Sequence, residues 1–288
     1  MASTKRSKAF KMLHIILPVH NRKETTALFI GCLKTQTFKD YHLLLIDDGS
    51  TDGTSELVQK EIEQCTVING KGDWWWAGSL QQGLDWIKQK KYLHDDILFI
   101  NDDVVFESDF LENGVRLLSK TKRSIFLAKS FSQQTKQLVD HGVKITWNPL
   151  KFQQANSIEE INCFTTRGLF AHVDDVLEIG NFHPFVLPHY MADYEFTYRA
   201  YKKGFQLITD DTLWLFKNEE TTGYAGVKYT SLIDIWEKYF SKKNPINIIY
   251  YTSFIVLTGF PNHIFKEIAT LYAVQLRLFF KNLKKLVK

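Results

Sequence analysis

The sequence predicts an α/β protein whose mostly parallel sheet is covered by helices. Three observations support this. Short apolar runs alternate with helix-length amphipathic segments from residue 12 onward. Several of these runs stop at polar or acidic clusters, which is where open α/β sheets present groups to ligands. In the clearest case, Ile97-Leu98-Phe99-Ile100 runs straight into Asn101-Asp102-Asp103 before apolar residues resume.

Met12 to Pro18 reads as the first buried strand, ended by proline. His20-Asn21-Arg22 is a loop, and Asn21 is expected to cap a helix over residues 23–35, with Glu24 completing a capping box. Tyr41 to Ile46 is a second strand. It ends in Asp47-Asp48-Gly49-Ser50-Thr51-Asp52-Gly53, where glycine and serine permit a tight turn before a helix from Thr54 to Ile62. Cys65 to Ile68 is a weaker third strand. Trp74-Trp75-Trp76 cannot all face one core, because neighbouring residues point about 100° apart on a helix and to opposite faces on a strand. A helix from Ala77 to Lys90 leads into the acidic strand.

Ser108 to Lys120 reads as an amphipathic helix, and Ile125 to Lys129 as a strand. Asp140 to Ile145 reads as a hairpin segment. Thr165 to Phe170 brings Arg167 and Gly168 to the end of a strand, and Asp174 to Ile179 is a short helix. Within His189 to Gly204, Phe196, Arg199 and Ala200 argue for a helix closed by Gly204, with Asp193 and Glu195 in its first turn. Phe205 to Ile208 and Thr212 to Phe216 are two further strands. Beyond residue 229, apolar Ile264, Phe265, Ile268, Leu271, Leu278 and Phe279 recur at near-helical spacing opposite Lys266, Glu267, Arg277 and Lys281. Such a helix can lie in a membrane interface, pack on the preceding α/β part, or pair with a second copy as a homodimer.

At 288 residues, with 44% apolar and 24% charged residues, the chain is an ordinary globular protein of one large or two small domains. A net charge of +4 with no basic stripe argues against nucleic-acid binding. Basic residues gather at both ends: Lys5, Arg6 and Lys8, then Lys281, Lys284, Lys285 and Lys288, a pattern suited to an anionic surface. The three cysteines are scattered and the first dozen residues lack a secretory pattern, so the expected setting is cytoplasmic, at the inner face of the membrane if the tail makes contact.

Leu17-Pro18-Val19-His20-Asn21-Arg22 with Ile46-Asp47-Asp48-Gly49-Ser50-Thr51-Asp52-Gly53-Thr54, then Asn101-Asp102-Asp103, then Ala192-Asp193-Tyr194-Glu195-Phe196 follow one another in an order and spacing that closely resemble the family-2 inverting glycosyltransferases. These enzymes have the GT-A fold, a Rossmann-like nucleotide-diphospho-sugar transferase fold. The likeness is greatest to bacterial rhamnosyltransferase-type members that build surface polysaccharides, and it covers about residues 12 to 218. It implies a basic tail (1–11), a catalytic domain (12–220, its nucleotide half 12–106 and acceptor half 107–220) and a C-terminal helical extension (221–288).

The resemblance also implies roles. Pro18, His20 and Asp48 would hold a uracil or thymine base, the Asp48 carboxylate accepting the imide N–H. Asn21 and Gly49 belong to the same loops, Arg22 approaches the diphosphate, and Asn101 and Asp102 sit beside the ribose and the metal. The family's usual Asp-any-Asp motif begins here with Asn101, which leaves Asp103 as the expected ligand of Mg²⁺ or Mn²⁺. No histidine follows Phe216 where many members have a further ligand. Asp193 aligns with the catalytic base, Ala192 standing where the family has Glu and Glu195 competing for the role. Trp75 and Trp76 lie where the chain would pass the sugar, whose C–H faces pack well on aromatic rings. The expected partners are a UDP- or dTDP-sugar and a glycan or lipid-linked acceptor. The alternatives are a nucleotide-sugar-binding protein without transferase activity, and a phosphohydrolase using Asp47 and Asp48.

Overall fold

A computed structural model describes residues 11–220, 240–242, 244, 247–260 and 263–286, the last few of these by backbone alone. The first ten residues and 221–239 lie outside them, and with them the expected basic N-terminal tail.

Seven strands form the central sheet, in the order β12-β6-β11-β4-β1-β2-β3. They are β1 (Leu13–Val19), β2 (Tyr41–Asp47), β3 (Cys65–Asn69), β4 (Asp96–Phe99), β6 (Ser124–Leu127), β11 (Leu169–His172) and β12 (Gln206–Ile208). All neighbours pair in parallel except β11, which runs antiparallel to β4 and β6. The sheet is therefore mixed. Because β11 is reversed, its first residues lie beside the last residues of β4. Arg167 and Gly168 thus precede a strand instead of ending one, and the reversal brings them to the acidic edge.

Alternate residues of each strand feed two cores, as a pleated strand requires. Ile16, Leu44, Ile97, Phe99 and Leu169 face α3 (Trp75–Lys90), α5 (Val173–Ile179) and α6 (Ala192–Lys202). Leu13, Ile15, Leu17, Leu43, Leu98 and Phe170 face α1 (Lys23–Lys34), α2 (Thr54–Glu61) and α4 (Phe110–Leu118). A second, four-stranded sheet begins just after the acidic triplet, in the order β5-β13-β7-β8: β5 (Val104–Val105), β13 (Trp214–Lys217), β7 (Lys129–Ser132) and β8 (Leu138–Asp140). The expected hairpin over 140–145 divides at Gly142: β8 joins β7, whereas β9 (Val143–Thr146) pairs with β10 (Lys151–Gln154).

Asn21 does not cap α1. It takes a left-handed φ of 49° and its side chain accepts from the Thr51 N–H at 2.8 Å. The first amide of α1, at Lys23, is instead bonded by Asp52 across the loop at 2.9 Å.

Two helices follow residue 247: α7 (Ile248–Thr258) and α8 (Ile264–Leu286). Tyr250 and Phe254 of α7 enter the first core, Phe254 stacked on Trp147 with ring centroids 6.2 Å apart. Glu267, expected on the polar face of α8, is buried. Its carboxylate accepts the Asn148 and Leu150 N–H groups, so it belongs to the packed face. The tail is therefore anchored on the sheet domain, and Phe254→Ala should lower unfolding stability by about 3–5 kcal/mol in a urea titration, the usual cost of emptying a buried aromatic site.

Candidate active site

The edge at which β1, β2 and β4 end carries the groups singled out from the sequence. Pro18 lies where β1 runs beyond its pairing with β4, still opposite Ile46 of β2. His20 donates from Nδ1 to the Asp48 carbonyl at 2.6 Å, which fixes its tautomer and leaves Nε2 to accept from the Asn21 amide. The Asp48 carboxylate accepts two backbone amides, Gly72 at 2.8 Å and Trp75 at 3.0 Å, and so ties the 70–75 loop to the end of β2. Gly49, at φ 80°, lies under that loop: a Cβ there would stand 2.9 Å from the Gly72 nitrogen.

The tryptophans divide as their geometry demands. Trp74 covers Gly70, where a Cβ would meet its ring at 2.7 Å, and packs on the first core. Trp76 also packs there and donates its indole N–H to the buried Thr166 hydroxyl at 3.0 Å. Trp75 leaves the core. Its backbone is left-handed, at φ 57°, an uncommon conformation for a bulky residue. Its ring packs edge-on against His189 and under the Lys242 ammonium.

Beyond β4 the acidic triplet splits into two roles. Asp102 turns toward α1, accepting from Arg22 Nε at 2.9 Å and the Thr26 hydroxyl at 3.1 Å. Burial raises its pKa to about 6, against the pull of Arg22 and with a push from Asp103. Asp103 is 2% exposed, yet neither carboxylate oxygen has a hydrogen-bond partner. The Asn101 Oδ1, Arg22 Nη2 and Arg167 Nε atoms are likewise buried and unpartnered. Arg167 Nε stands 4.0 Å from Asp103 Oδ1, an ion pair without a hydrogen bond. Buried polar atoms are ordinarily bonded, so these atoms of opposite sign on one edge mark a place built for a ligand.

Asp193, in the first turn of α6, is only partly accessible. The helix is held by Thr197, whose buried hydroxyl accepts the Phe164 N–H at 2.9 Å. A helix N-terminus favours the charged carboxylate, but burial outweighs it here and lifts the Asp193 pKa to about 6; the Tyr194 N–H and Arg167 pull it down, and Asp140 pushes it up. Arg167 thus acts electrostatically on Asp193 while standing beside Asp103. Glu195 is otherwise engaged: it is 1% exposed and its two oxygens accept from Arg199 at 2.8 and 2.9 Å. Its carboxylate is part of the anchor between α6 and the loop after α5.

Nothing in the sequence alone assigned a functional role to Arg167, Lys217 or Asp140. The only trace of Arg167 there was a basic residue followed by glycine beside a strand, and its use depends on the reversal of β11. Among the described residues no group of three or more His, Cys, Asp and Glu converges as a metal cage.

The chain is 24% identical over 215 residues to the amylovoran biosynthesis glycosyltransferase AmsB of Erwinia amylovora, covering 67% of this chain and 65% of that one. It spans as little as 18% of the length of other curated relatives that it matches. Its structure resembles S. aureus TarS 1-349 in complex with UDP-GlcNAc, with a TM-score of 0.58, 17% identity, and 91% and 72% of the two chains covered. It also resembles the mannosyltransferase PcManGT from Pyrobaculum calidifontis in complex with GDP-Man and Mn²⁺, with a TM-score of 0.56, 12% identity, and 92% and 70% covered. These likenesses identify the fold as GT-A. Residues 14–177 match the Glycosyl transferase family 2 profile, more than half of the chain, and with that the protein belongs to glycosyltransferase family 2.

Proposed function

We propose that the protein moves a sugar from a UDP- or dTDP-linked donor to a hydroxyl of a glycan or lipid-linked acceptor in polysaccharide biosynthesis, inverting the anomeric carbon. The observation that carries this reading is the set of buried, unpartnered atoms of opposite sign: Asn101 Oδ1 and both Asp103 oxygens against Arg22 Nη2 and Arg167 Nε. A divalent cation carrying a diphosphate answers both signs together. The carboxylate and carbonyl oxygens of Asp103 and Asn101 suit Mg²⁺ or Mn²⁺, which take one or two protein oxygens and leave the rest to phosphate and water. When bound, the ion supplies charge neutralisation to the departing diphosphate. Residues 12–220 form the catalytic part in this reading.

Pro18, His20 and Asp48 line the base side. Each Asp48 oxygen already accepts one amide and keeps a second lone pair for the imide N–H of uracil or thymine. Trp75 flanks the sugar, whereas Trp76 is held in the core by its bond to Thr166. Asp193 takes the proton of the acceptor hydroxyl as its oxygen bonds to the anomeric carbon. The bond from that carbon to the phosphate oxygen breaks, and its electron pair leaves with the nucleoside diphosphate. A carboxyl lifted to about 6 is ionised at neutral pH and is a stronger base than an exposed aspartate.

The same reading places the tail at an anionic membrane surface, in keeping with a lipid-linked acceptor. Phe265, Tyr272, Leu276 and Phe280 stand 85%, 44%, 56% and 55% exposed at helical spacing on α8, with exposed Lys266 and Arg277 alongside. No helix among the described residues is long and apolar enough to cross a membrane.

Asp193→Asn should leave donor binding intact in calorimetry and lower the transfer rate about 10²–10⁴-fold; full turnover would remove the base assignment. Because the base acts ionised and its pKa is raised, kcat/KM should fall about tenfold per pH unit below about pH 6 and level off above it, read from a pH–rate profile. Asp103→Ala should abolish the gain in donor affinity on adding Mn²⁺, measured by titration with and without the metal. The protein should sediment with vesicles containing phosphatidylglycerol, and Phe265→Glu with Leu276→Glu should return it to the supernatant.

A further inference from the structure

Among the described residues, three arginines face a buried carboxylate. Arg22 and Asp102 close to 2.9 Å, and Arg199 grips Glu195 at 2.8 and 2.9 Å. Arg167 and Asp103 stop at 4.0 Å, both largely buried and both with hydrogen-bonding atoms unused. A flexible pair of opposite charges free to relax would close, as the other two have. The backbone that carries Arg167 is fixed on both sides. Thr166 is fixed by the Trp76 indole. Gly168 donates to the Phe99 carbonyl at 2.9 Å and accepts the Ala128 N–H at 2.9 Å, with φ at 79° and no room for a Cβ against Leu215 and Ala128.

A second cation approaches from the small sheet. Lys217 ends β13 opposite Val104 and Ser132, and the Asn218 N–H bonds the Asp103 carbonyl at 2.9 Å. Burial and the nearby Arg167 draw the Lys217 pKa below the ordinary lysine value, against the attraction of Asp103, Glu219 and Asp140. Lys217 lies in the segment where the sequence offers no histidine as a further metal ligand.

We infer that Arg167, with Lys217 beside it, is a built-in cationic clamp for the donor's diphosphate, so that donor binding persists when the divalent ion is removed. The 4.0 Å gap leaves the buried Arg167 Nε–H unpaired, and a guanidinium matches phosphate oxygens with two directed bonds. This rests on the transferase reading and adds a division of labour: the fixed cations hold the diphosphate, and the ion serves its departure.

The test is calorimetric titration of the full chain with UDP and dTDP, each with Mn²⁺ and with EDTA. The wild type should bind at least one of them in EDTA, with Kd raised no more than about tenfold over Mn²⁺. Arg167→Gln should weaken binding in EDTA about 10–100-fold, the usual range for a lost hydrogen bond to a charged group, and Arg167→Lys should recover part of it. Lys217→Gln should weaken binding in the same direction. The unliganded melting temperature of each variant serves as the check on folding: a loss of affinity in a variant that melts like the wild type supports the clamp. Wild-type binding that vanishes in EDTA, or Arg167→Gln binding equal to wild type, overturns the clamp and leaves the transferase reading standing. No binding of either nucleotide in either buffer overturns both.

Discussion

A carboxylate buried without a hydrogen-bond donor is the condition on which the rest of this structure turns. Desolvating an ionised group costs several kcal/mol unless a partner compensates, and Asp103 has no hydrogen-bond donor, with Arg167 Nε standing 4.0 Å away. The arrangement persists because the surrounding backbone is fixed independently: β4 ends in the central sheet, β5 is paired into the small sheet, and the Asp103 carbonyl receives the Asn218 N–H. Two sheets meeting at one residue hold a charge where a ligand can find it.

The loop over residues 70–76 shows the opposite use of a carboxylate. Asp48 is bonded on both oxygens and acts as a latch that brings Gly72 and Trp75 over the end of β2. Once the latch is set, Trp74 and Trp76 are committed to the core, and Trp75 takes a left-handed backbone that turns its ring out. Uncommon backbone conformations of this kind gather at functional sites. The latch and the unsatisfied Asp103 thus divide one edge into a rigid wall and a receptive one.

Packing connects this edge to the distant tail. Tyr194, next to Asp193, stacks on Phe152 of β10, which in turn packs against Phe254 of α7. Trp147 joins Tyr198 of α6 to the same Phe254. The helix carrying Asp193 is therefore braced from behind by α7, while α8 exposes apolar side chains among the described residues.

How much of this was legible beforehand follows the range of the forces involved. Strands β1, β2 and β4 and helices α1 and α3 were readable because hydrophobic period and turn chemistry are local, and the motifs around Asp48, Asp103 and Asp193 were readable because they are contiguous. By itself the sequence determined the fold class, the order of the elements and the positions of the acidic groups. Only the tertiary structure decided which groups are spent and which are free. Asn21 gave up its capping role to Asp52, Glu195 went to Arg199, and Glu267 turned inward to bond two amides. Arg167 reached the acidic edge because one strand runs backwards. Apart from the Glu195–Arg199 pair, which lies within α6, each of these depends on a partner between 29 and 119 residues away, and the hydrogen bond or ion pair that settles it exists only after the sheet has set its register.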